Sequence, residues 1–173
     1  MKLGGNFFED LAPGQRLINP VPRTITEGDT ALYIALYGDR NPTRCSDEFA
    51  RSLGFERAPV HDLLVFHIVF GRAVGEISLN SPGNLGYADL RFLRPVFTGD
   101  TLFAWTEVLG QIDVGRSDVG ALRLRLVAVK NVDPSREEVP LRITGDDGRQ
   151  RYHESVVLDL DYVALIPKRA AAL

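Results

Sequence analysis

The chain has one cysteine among its 173 residues, Cys45, so no disulfide can form within it. It also lacks the apolar run of a signal peptide near its start, and no stretch approaches the roughly 20 apolar residues that cross a membrane. The formal net charge is only −3, and the basic residues form no stripe, which argues against a nucleic-acid or membrane partner. We therefore expect a cytoplasmic protein with neither kind of partner.

Several motifs of cofactor and nucleophile chemistry are also absent. There is no phosphate-binding glycine loop and no serine-nucleophile elbow. His61 and His67 are six residues apart, so they do not form the helical pair that binds a metal ion. We expect no metal ion and no separate cofactor, which leaves any chemistry to ionisable side chains.

The apolar pattern predicts three helices in the first half of the chain. Short helices are expected over Ala31–Tyr37 and Glu48–Leu53. The longest apolar run, Leu63–Phe70, has no two-residue alternation and continues in pattern to Ile77, which favours a helix buried on most sides over a strand. His67 lies inside this run and is expected to pack in the core.

The second half has a different rhythm. Residues 102–109, 122–128 and 156–164 alternate between two faces, as antiparallel strands with one covered face do. Residues 131–150 are polar and charged, and we interpret them as a hairpin extension of a single domain that covers residues 1–173. One buried helix followed by long antiparallel strands predicts an α+β fold with the sheet wrapped around the helix. Such a sheet leaves unpaired edges, so we expect a homodimer or a dimer of dimers.

The stretch Tyr37–Ala50 is the most informative one for function. It places Asp39 in a Gly-Asp-x-Asn-Pro turn between two helices, where a carboxylate can be held rigidly against a cleft as a general acid or base. The simpler interpretation is that Asp39 only accepts backbone N–H groups in its turn. Arg44 could likewise be a solvated charge or a partner of Asp47 or Glu48.

Three segments together resemble the MaoC-like (R)-specific enoyl-CoA hydratases and dehydratases, which have the hot-dog fold. The segments are Gly38–Pro42 with Asp47–Ala50 behind it, Arg57–His61 before the buried helix, and Gly86–Val96 with Gly99–Leu102. The first half looks most similar to the mesaconyl-CoA hydratase (β-methylmalyl-CoA dehydratase) branch, whose members typically carry two hot-dog units in one chain. The resemblance implies that this chain supplies one unit, and that a second copy or another hot-dog chain supplies the other.

The resemblance also implies an activity, the reversible addition of water to a 2,3-enoyl-CoA, with a branched or dicarboxylic acyl group as one option. CoA would be part of the substrate. Asp39 stands at the position of the general base, Asn41 orients groups nearby, and His61 lies where the oxyanion-binding helix begins. Arg44 replaces the catalytic histidine of the family, and Asp62 stands where much of the family has glycine.

These two departures change the expected chemistry. Arginine stays protonated at neutral pH, so Arg44 cannot shuttle a proton, although it could bind a substrate carboxylate or an enolate, or lower the pKa of Asp39. Asp62 would repel an enolate unless it is protonated or turned away. A non-catalytic hot-dog subunit beside an active partner, an acyl-CoA binding protein and a thioesterase are therefore alternatives to a hydratase.

Overall fold

The computed structural model describes residues 4–169. Its strands are β1 (Arg16–Ile18), β2 (Arg23–Thr24), β3 (Gly83–Phe92), β4 (Thr101–Ile112), β5 (Val119–Lys130), β6 (Arg142–Thr144), β7 (Gln150–Tyr152) and β8 (Val156–Pro167). Six of them form an antiparallel sheet in the order β1, β4, β5, β8, β3, with β2 also paired to β4, while β6 and β7 pair only with each other. The predicted alternating segments lie in β4, β5 and β8, the three longest strands.

The first long helix, α1 (Glu27–Tyr37), begins earlier than the apolar pattern predicts because Thr26 caps it. The Thr26 hydroxyl accepts from the N–H of Asp29 at 3.2 Å, and the Asp29 carboxylate accepts from the N–H of Thr26 at 2.9 Å. This capping box satisfies two backbone donors at once. The helix ends at Gly38, whose φ of +61° is a conformation that glycine adopts without a steric penalty.

Two short helices, α2 (Pro42–Cys45) and α3 (Asp47–Ser52), lead to the central helix α4 (Asp62–Arg72), which a π-helical turn follows. Leu64, Val65 and Val69 of α4 are at most 9% exposed. They belong to one apolar cluster with side chains of the sheet, including Leu102, Val108, Leu122, Leu124, Leu126, Leu158 and Leu160. The removal of this apolar surface from water is the main force that holds α4 against the sheet. None of the helices formed by residues 4–169 is long and apolar enough to cross a membrane.

The side of α4 that faces away from the sheet is open. Leu63 is 42% exposed and His67 is exposed, so the expectation that His67 packs in the core is wrong. Phe66 and Phe70 lie at the border, and their rings are 6.0 and 5.5 Å from that of Tyr87 in β3. An apolar run with no polar face does not reveal which of its sides the rest of the chain covers.

The outer face of the sheet carries a second, smaller core. Its buried members are at most 1% exposed and are Trp105, Val127, Val129, Val139 and Val156. Val139 belongs to the segment between β5 and β8, and Leu141 and Tyr152 of the same segment pack against this cluster. The predicted polar extension is therefore a hairpin, β6–β7, that also shields apolar residues on the outer face.

The two edges of the sheet are unequal. β3 pairs with β8 on one side and with no described strand on the other. Leu85 and Tyr87 of β3 are 60% and 53% exposed. The register between β3 and β8 shifts between Ala88 and Arg91, where Asp89 has a φ of +50°. At the other edge, β1 and β2 are only three and two residues long.

Candidate active site

The end of α1 holds Asp39 in place. The N–H of Asp39 donates to the Ile34 carbonyl at 3.3 Å, and Asp39 Oδ1 accepts from the N–H of Asn41 at 3.0 Å. The Asp39 side chain is only 9% exposed. Asp39 thus accepts a backbone N–H in its turn, as the simpler interpretation requires. The other carboxylate oxygen, Oδ2, lies near Arg44 and His61.

Arg44 of α2 binds this second oxygen. Its Nε donates to Asp39 Oδ2 at 2.8 Å, and its Nη1 lies 4.0 Å from Asp62 Oδ2. Within residues 4–169, Arg44 pairs with these two carboxylates and not with Asp47 or Glu48. The residue that replaces the histidine of the family is therefore in the site, as a fixed positive charge between two acids.

His61 caps α4 and faces the same oxygen of Asp39. Its Nδ1 accepts from the N–H of Leu63 at 3.0 Å, so the neutral imidazole carries its proton on Nε2. This Nε2 lies 3.8 Å from Asp39 Oδ2, and the His61 side chain is 19% exposed. The cap interaction therefore aims an N–H donor at the space beside the Asp39 carboxylate.

The charges of the site follow from these contacts. Burial on its own would raise the pKa of Asp39, but the N–H of Asn41 and the Arg44 guanidinium outweigh it and lower the pKa below the ordinary 3.8. Burial, and then the charge of Arg44, lower the pKa of His61 below 6.5. At neutral pH the site holds a carboxylate, a guanidinium and a neutral imidazole. The lowered pKa keeps Asp39 ionised but makes it a weaker base.

A cleft of about 340 Å³ opens beside this group. Asn41, Arg44, Asp62 and Arg94 line it, together with the apolar side chains of Phe55, Pro59, Val60 and Phe92. Neither Asp39 nor His61 is among the lining residues, but Asp39 is bonded to Asn41 and Arg44, which are, and His61 lies between Val60 and Asp62, which are too. No cluster of three or more His, Cys, Asp or Glu side chains that could bind a metal ion occurs in the part of the chain that the structure describes.

The structure brings all five predicted site residues to the start of α4, although their roles stay predictions. The side chain of Asn41 caps α2, because its Oδ1 accepts from the N–H of Thr43 at 3.0 Å. Asn41 therefore holds the turn together and orients Asp39 through its backbone. Asp62 is the first residue of α4, and its side chain is 52% exposed and lies toward Arg44.

The sequence analysis missed Tyr33. This residue of α1 is 7% exposed, and its ring centroid lies 5.0 Å from that of His61 and 4.4 Å from that of Tyr37. Burial, with the nearby Tyr37 and Asp39, raises its pKa. Tyr33 and Tyr37 are one helical turn apart and Asp39 lies two residues beyond Tyr37, a spacing that could have indicated aromatic rings beside the acid.

A sheet wrapped around one central helix, with an acidic turn held at the first residues of that helix, defines a hot-dog domain. The sequence identifies the kind of hot-dog domain. A family model described as a MaoC-like domain matches residues 9–130. The chain belongs to this family.

Individual relatives agree with this membership. The β-methylmalyl-CoA dehydratase of Chloroflexus aurantiacus is 50% identical over 129 residues, which are 75% of this chain and 37% of that enzyme. A solved MaoC domain protein from the same organism has a TM-score of 0.80 and 42% identity, over 95% of this chain and 41% of that one. A Mycobacterium tuberculosis protein with a double hot-dog fold has a TM-score of 0.74 and 25% identity, over 97% and 46% of the two chains. The chain thus spans less than half the length of each of these relatives.

Proposed function

We propose that this protein is a hydratase or dehydratase that adds water to, or removes it from, a 2,3-enoyl-CoA thioester. The observation that carries the proposal is the convergence of the Asp39 carboxylate and the Nε2–H group of His61 at the first turn of α4, 3.8 Å apart. Water that sits between them would meet an acceptor and a donor. The similarity to a dehydratase of CoA thioesters supports the proposal.

In the hydration direction, Asp39 takes a proton from the water molecule as the water oxygen bonds to C3 of the acyl group. The same carboxyl then returns this proton to C2, so Asp39 ends the cycle ionised. His61 donates from Nε2 to the water oxygen and orients it, and it stays neutral throughout because of its lowered pKa. General base catalysis of this kind typically contributes about 10²- to 10⁴-fold to the rate.

The first turn of α4 is suited to bind the enolate that forms on the thioester. The N–H of Leu63 is bonded to the His61 ring and the N–H of Leu64 to the His61 carbonyl at 2.9 Å. The N–H of Asp62 has no acceptor within residues 4–169, so it can donate to the thioester oxygen. The Arg44 guanidinium adds positive charge on the cleft side and offsets the repulsion by the Asp62 carboxylate.

The acyl group would lie on the open side of α4. Rings follow one another there from the site outward, with centroids 5.0 to 6.2 Å apart, in the order His61, Tyr33, His67, Phe66, Phe70 and Tyr87. Aromatic side chains bury apolar groups well, and the ring N–H of His67 could donate a hydrogen bond to a second carboxylate. This surface supports a branched or dicarboxylic acyl group as the substrate.

The purified chain should lower the absorbance of the conjugated thioester when it is mixed with mesaconyl-CoA or crotonyl-CoA. Mass spectrometry of the product should show the addition of one water, with the thioester intact. Release of free thiol would instead identify a thioesterase. Binding of the thioester with no chemical change would identify an acyl-CoA binding protein, and either result would overturn the proposal.

One observation favours a second candidate, a non-catalytic hot-dog unit that completes an active partner. The Arg44 charge at 2.8 Å weakens Asp39 as a base, and the relatives are more than twice as long as the segment that they share with this chain. Under this proposal the chain alone would be inactive, and it would copurify with an active hot-dog chain. Turnover by the chain alone would exclude this candidate.

We also propose that two units associate through β3, either as a homodimer, as a dimer of dimers or with another hot-dog chain. The unpaired edge and the exposed Leu85 and Tyr87 support this assembly. Sedimentation at micromolar concentration should show no monomer. A cytoplasmic location remains part of the proposal.

A further inference from the structure

Two arginines from distant parts of the chain meet at one phenol oxygen on the outer face of the sheet. Nη1 of Arg91, in β3, donates to the Tyr152 hydroxyl at 3.0 Å, and Nη2 of Arg142, in β6, donates to the same oxygen at 3.1 Å. The Arg142 guanidinium also lies over the Tyr152 ring, 4.3 Å from its centroid. Two like charges this close repel each other, and an anion bound between them would offset that repulsion.

A buried acid fixes the phenol between the two arginines. The Tyr152 hydroxyl donates to Asp159 Oδ2 at 2.7 Å, and Asp159 is 3% exposed. The other oxygen of Asp159 lies 3.2 Å from Nε of Arg125. A buried residue thus fixes the position of Tyr152, and Tyr152 in turn fixes the position of both guanidinium groups. A binding site needs supporting residues of this kind to hold its contacts in place.

Most N–H donors of the two arginines are left for a ligand. Each guanidinium has five donors in a fork that matches the oxygens of a phosphate group. Nη2 of Arg91 lies 3.5 Å from the exposed carboxylate of Asp89, and the buried carboxylate of Asp159 also stabilises its charge. For Arg142, Tyr152 is the one hydrogen-bond acceptor within residues 4–169. The Arg91 side chain is 47% exposed, so the cluster opens to solvent.

The cluster is continuous with the cleft. Arg94 lines the cleft, and its Nη1 donates to the carbonyls of His153 and Val156, at 3.3 Å each, in the segment that follows Tyr152. Arg91 is the direct neighbour of Phe92, which lines the cleft at the end of β3. A ligand that extends from the site through the cleft along Arg44 and Phe92 can therefore bring a charged end to Arg91.

We propose that Arg91 and Arg142 bind the phosphate groups of the CoA part of the substrate, and that Tyr152 and Asp159 hold the two arginines in position. This inference rests on the proposed function, since it takes an acyl-CoA as the ligand. Phosphate bound there would replace Asp89 as the partner of Arg91. Charge-assisted bonds from two guanidinium groups are among the strongest that a protein makes to phosphate.

The test compares the binding of CoA with that of pantetheine, which has no phosphate, by calorimetry on the purified full chain. We expect the double variant Arg91→Ala/Arg142→Ala to bind CoA at least tenfold more weakly than the unsubstituted protein, and to bind pantetheine equally well. Added salt should weaken the binding of CoA to the unsubstituted protein more than to the double variant, because the lost contacts are ionic. Arg149→Ala is the matched control, since this arginine is in the same hairpin and its side chain is 83% exposed.

A second variant separates charge from position. Tyr152→Phe keeps both arginines but removes the hydroxyl oxygen to which both donate. It should therefore weaken the binding of CoA by less than the double variant does, and it should leave the binding of pantetheine unchanged. The proposal is overturned if the unsubstituted protein does not bind CoA, if the double variant binds CoA as tightly, or if binding of CoA and pantetheine weakens equally. Because no turnover is needed, a chain that binds CoA through these arginines but hydrates nothing would refute only the proposed function.

Discussion

Two nearly buried aspartates hold arginines in opposite ways. The Asp39 side chain is 9% exposed and pairs directly with Arg44 at 2.8 Å, beside the cleft. The Asp159 side chain is 4% exposed, but Arg91 reaches it only through the hydroxyl of Tyr152. A direct ion pair neutralises both partners. A phenol placed between them lets the acid act as an anchor while the arginine keeps its charge for a ligand.

The difference bears on what each acid can do. Asp39 Oδ2, the oxygen that Arg44 binds, also lies 3.8 Å from Nε2 of His61, so the carboxylate faces a second polar group where water can bind, although Arg44 lowers its pKa. Asp159 has its charge balanced by Arg125 at 3.2 Å and lies under the β6–β7 hairpin. The first acid is thus suited to chemistry, and the second is suited to the support of a surface.

The largest effect is expected for Asp39→Asn. The amide keeps the shape of the carboxylate and can still accept from the N–H of Asn41, but it cannot take a proton from water. We expect kcat to fall about 10²- to 10⁴-fold, measured by the absorbance of the conjugated thioester. Asp146→Asn, in the exposed hairpin turn, should match the unsubstituted protein. An Asp39→Asn variant with normal kcat would remove Asp39 from the mechanism.

Asp159→Asn should act on stability instead. The amide removes one of the two carboxylates beside Arg125, since only Asp161 then remains, and it weakens the bond to the Tyr152 hydroxyl. The free energy of unfolding should therefore fall by about 1–3 kcal/mol. Urea denaturation measures this loss, and kcat at saturating substrate should be unchanged. A fall in kcat as large as that of Asp39→Asn would erase the distinction between the two acids.

A smaller effect is expected when Arg44 becomes Met. Removal of the positive charge raises the pKa of Asp39, since the Arg44 guanidinium is one of the groups that lower it. The acidic limb of the profile of kcat/KM against pH should therefore move to higher pH. Arg40→Met is the matched control, because Arg40 is exposed in the same turn. If both variants give the same limb as the unsubstituted protein, Arg44 does not set the pKa of the base.

The smallest effect concerns stability against pH. The folded pKa of His61 lies below 6.5, so the unfolded chain takes up the proton first as the pH falls. The contribution of His61 to the free energy of unfolding is therefore complete above pH 6.5, and it is lost as the pH falls through the pKa of His61 in the folded protein. The lowered pKa of Asp39 adds a further loss below 3.8.

The variant His61→Asn tests this. Asn can still cap α4, but it does not titrate. Its free energy of unfolding should fall less than that of the unsubstituted protein between about pH 7 and about pH 5, where an ordinary histidine titrates. An equal loss in both proteins would show that another group causes the dependence.

Much of the fold could be predicted because local rules determine it. Gly38 ends α1 through its left-handed conformation, and the alternation in β4, β5 and β8 reflects one buried face. β3 was harder to recognise, since residues 84–89 are exposed and follow no alternation of burial. The cover over the outer face was also missed, because Val139, Leu141 and Tyr152 are isolated apolar residues in a polar segment.

The sequence predicted which residues belong to the site better than it predicted the contacts among them. The resemblance to the MaoC-like hydratases implied that Asp39, Asn41 and His61 would belong to one site. It could not show that Arg44 reaches Asp39 instead of Asp47, because that choice depends on side-chain geometry across α2 and α3. The exposure of His67 was missed for a related reason, since the cover over α4 depends on elements distant in sequence.

The two edges of the sheet differ in length, and this difference limits how many copies of the domain can associate edge to edge. Pairing through β3 consumes the one long free edge of the described sheet, and the three-residue β1 at the opposite side offers little to a further copy. If two units associate through β3 as proposed, addition by this route stops after two units and gives a closed pair, not a filament.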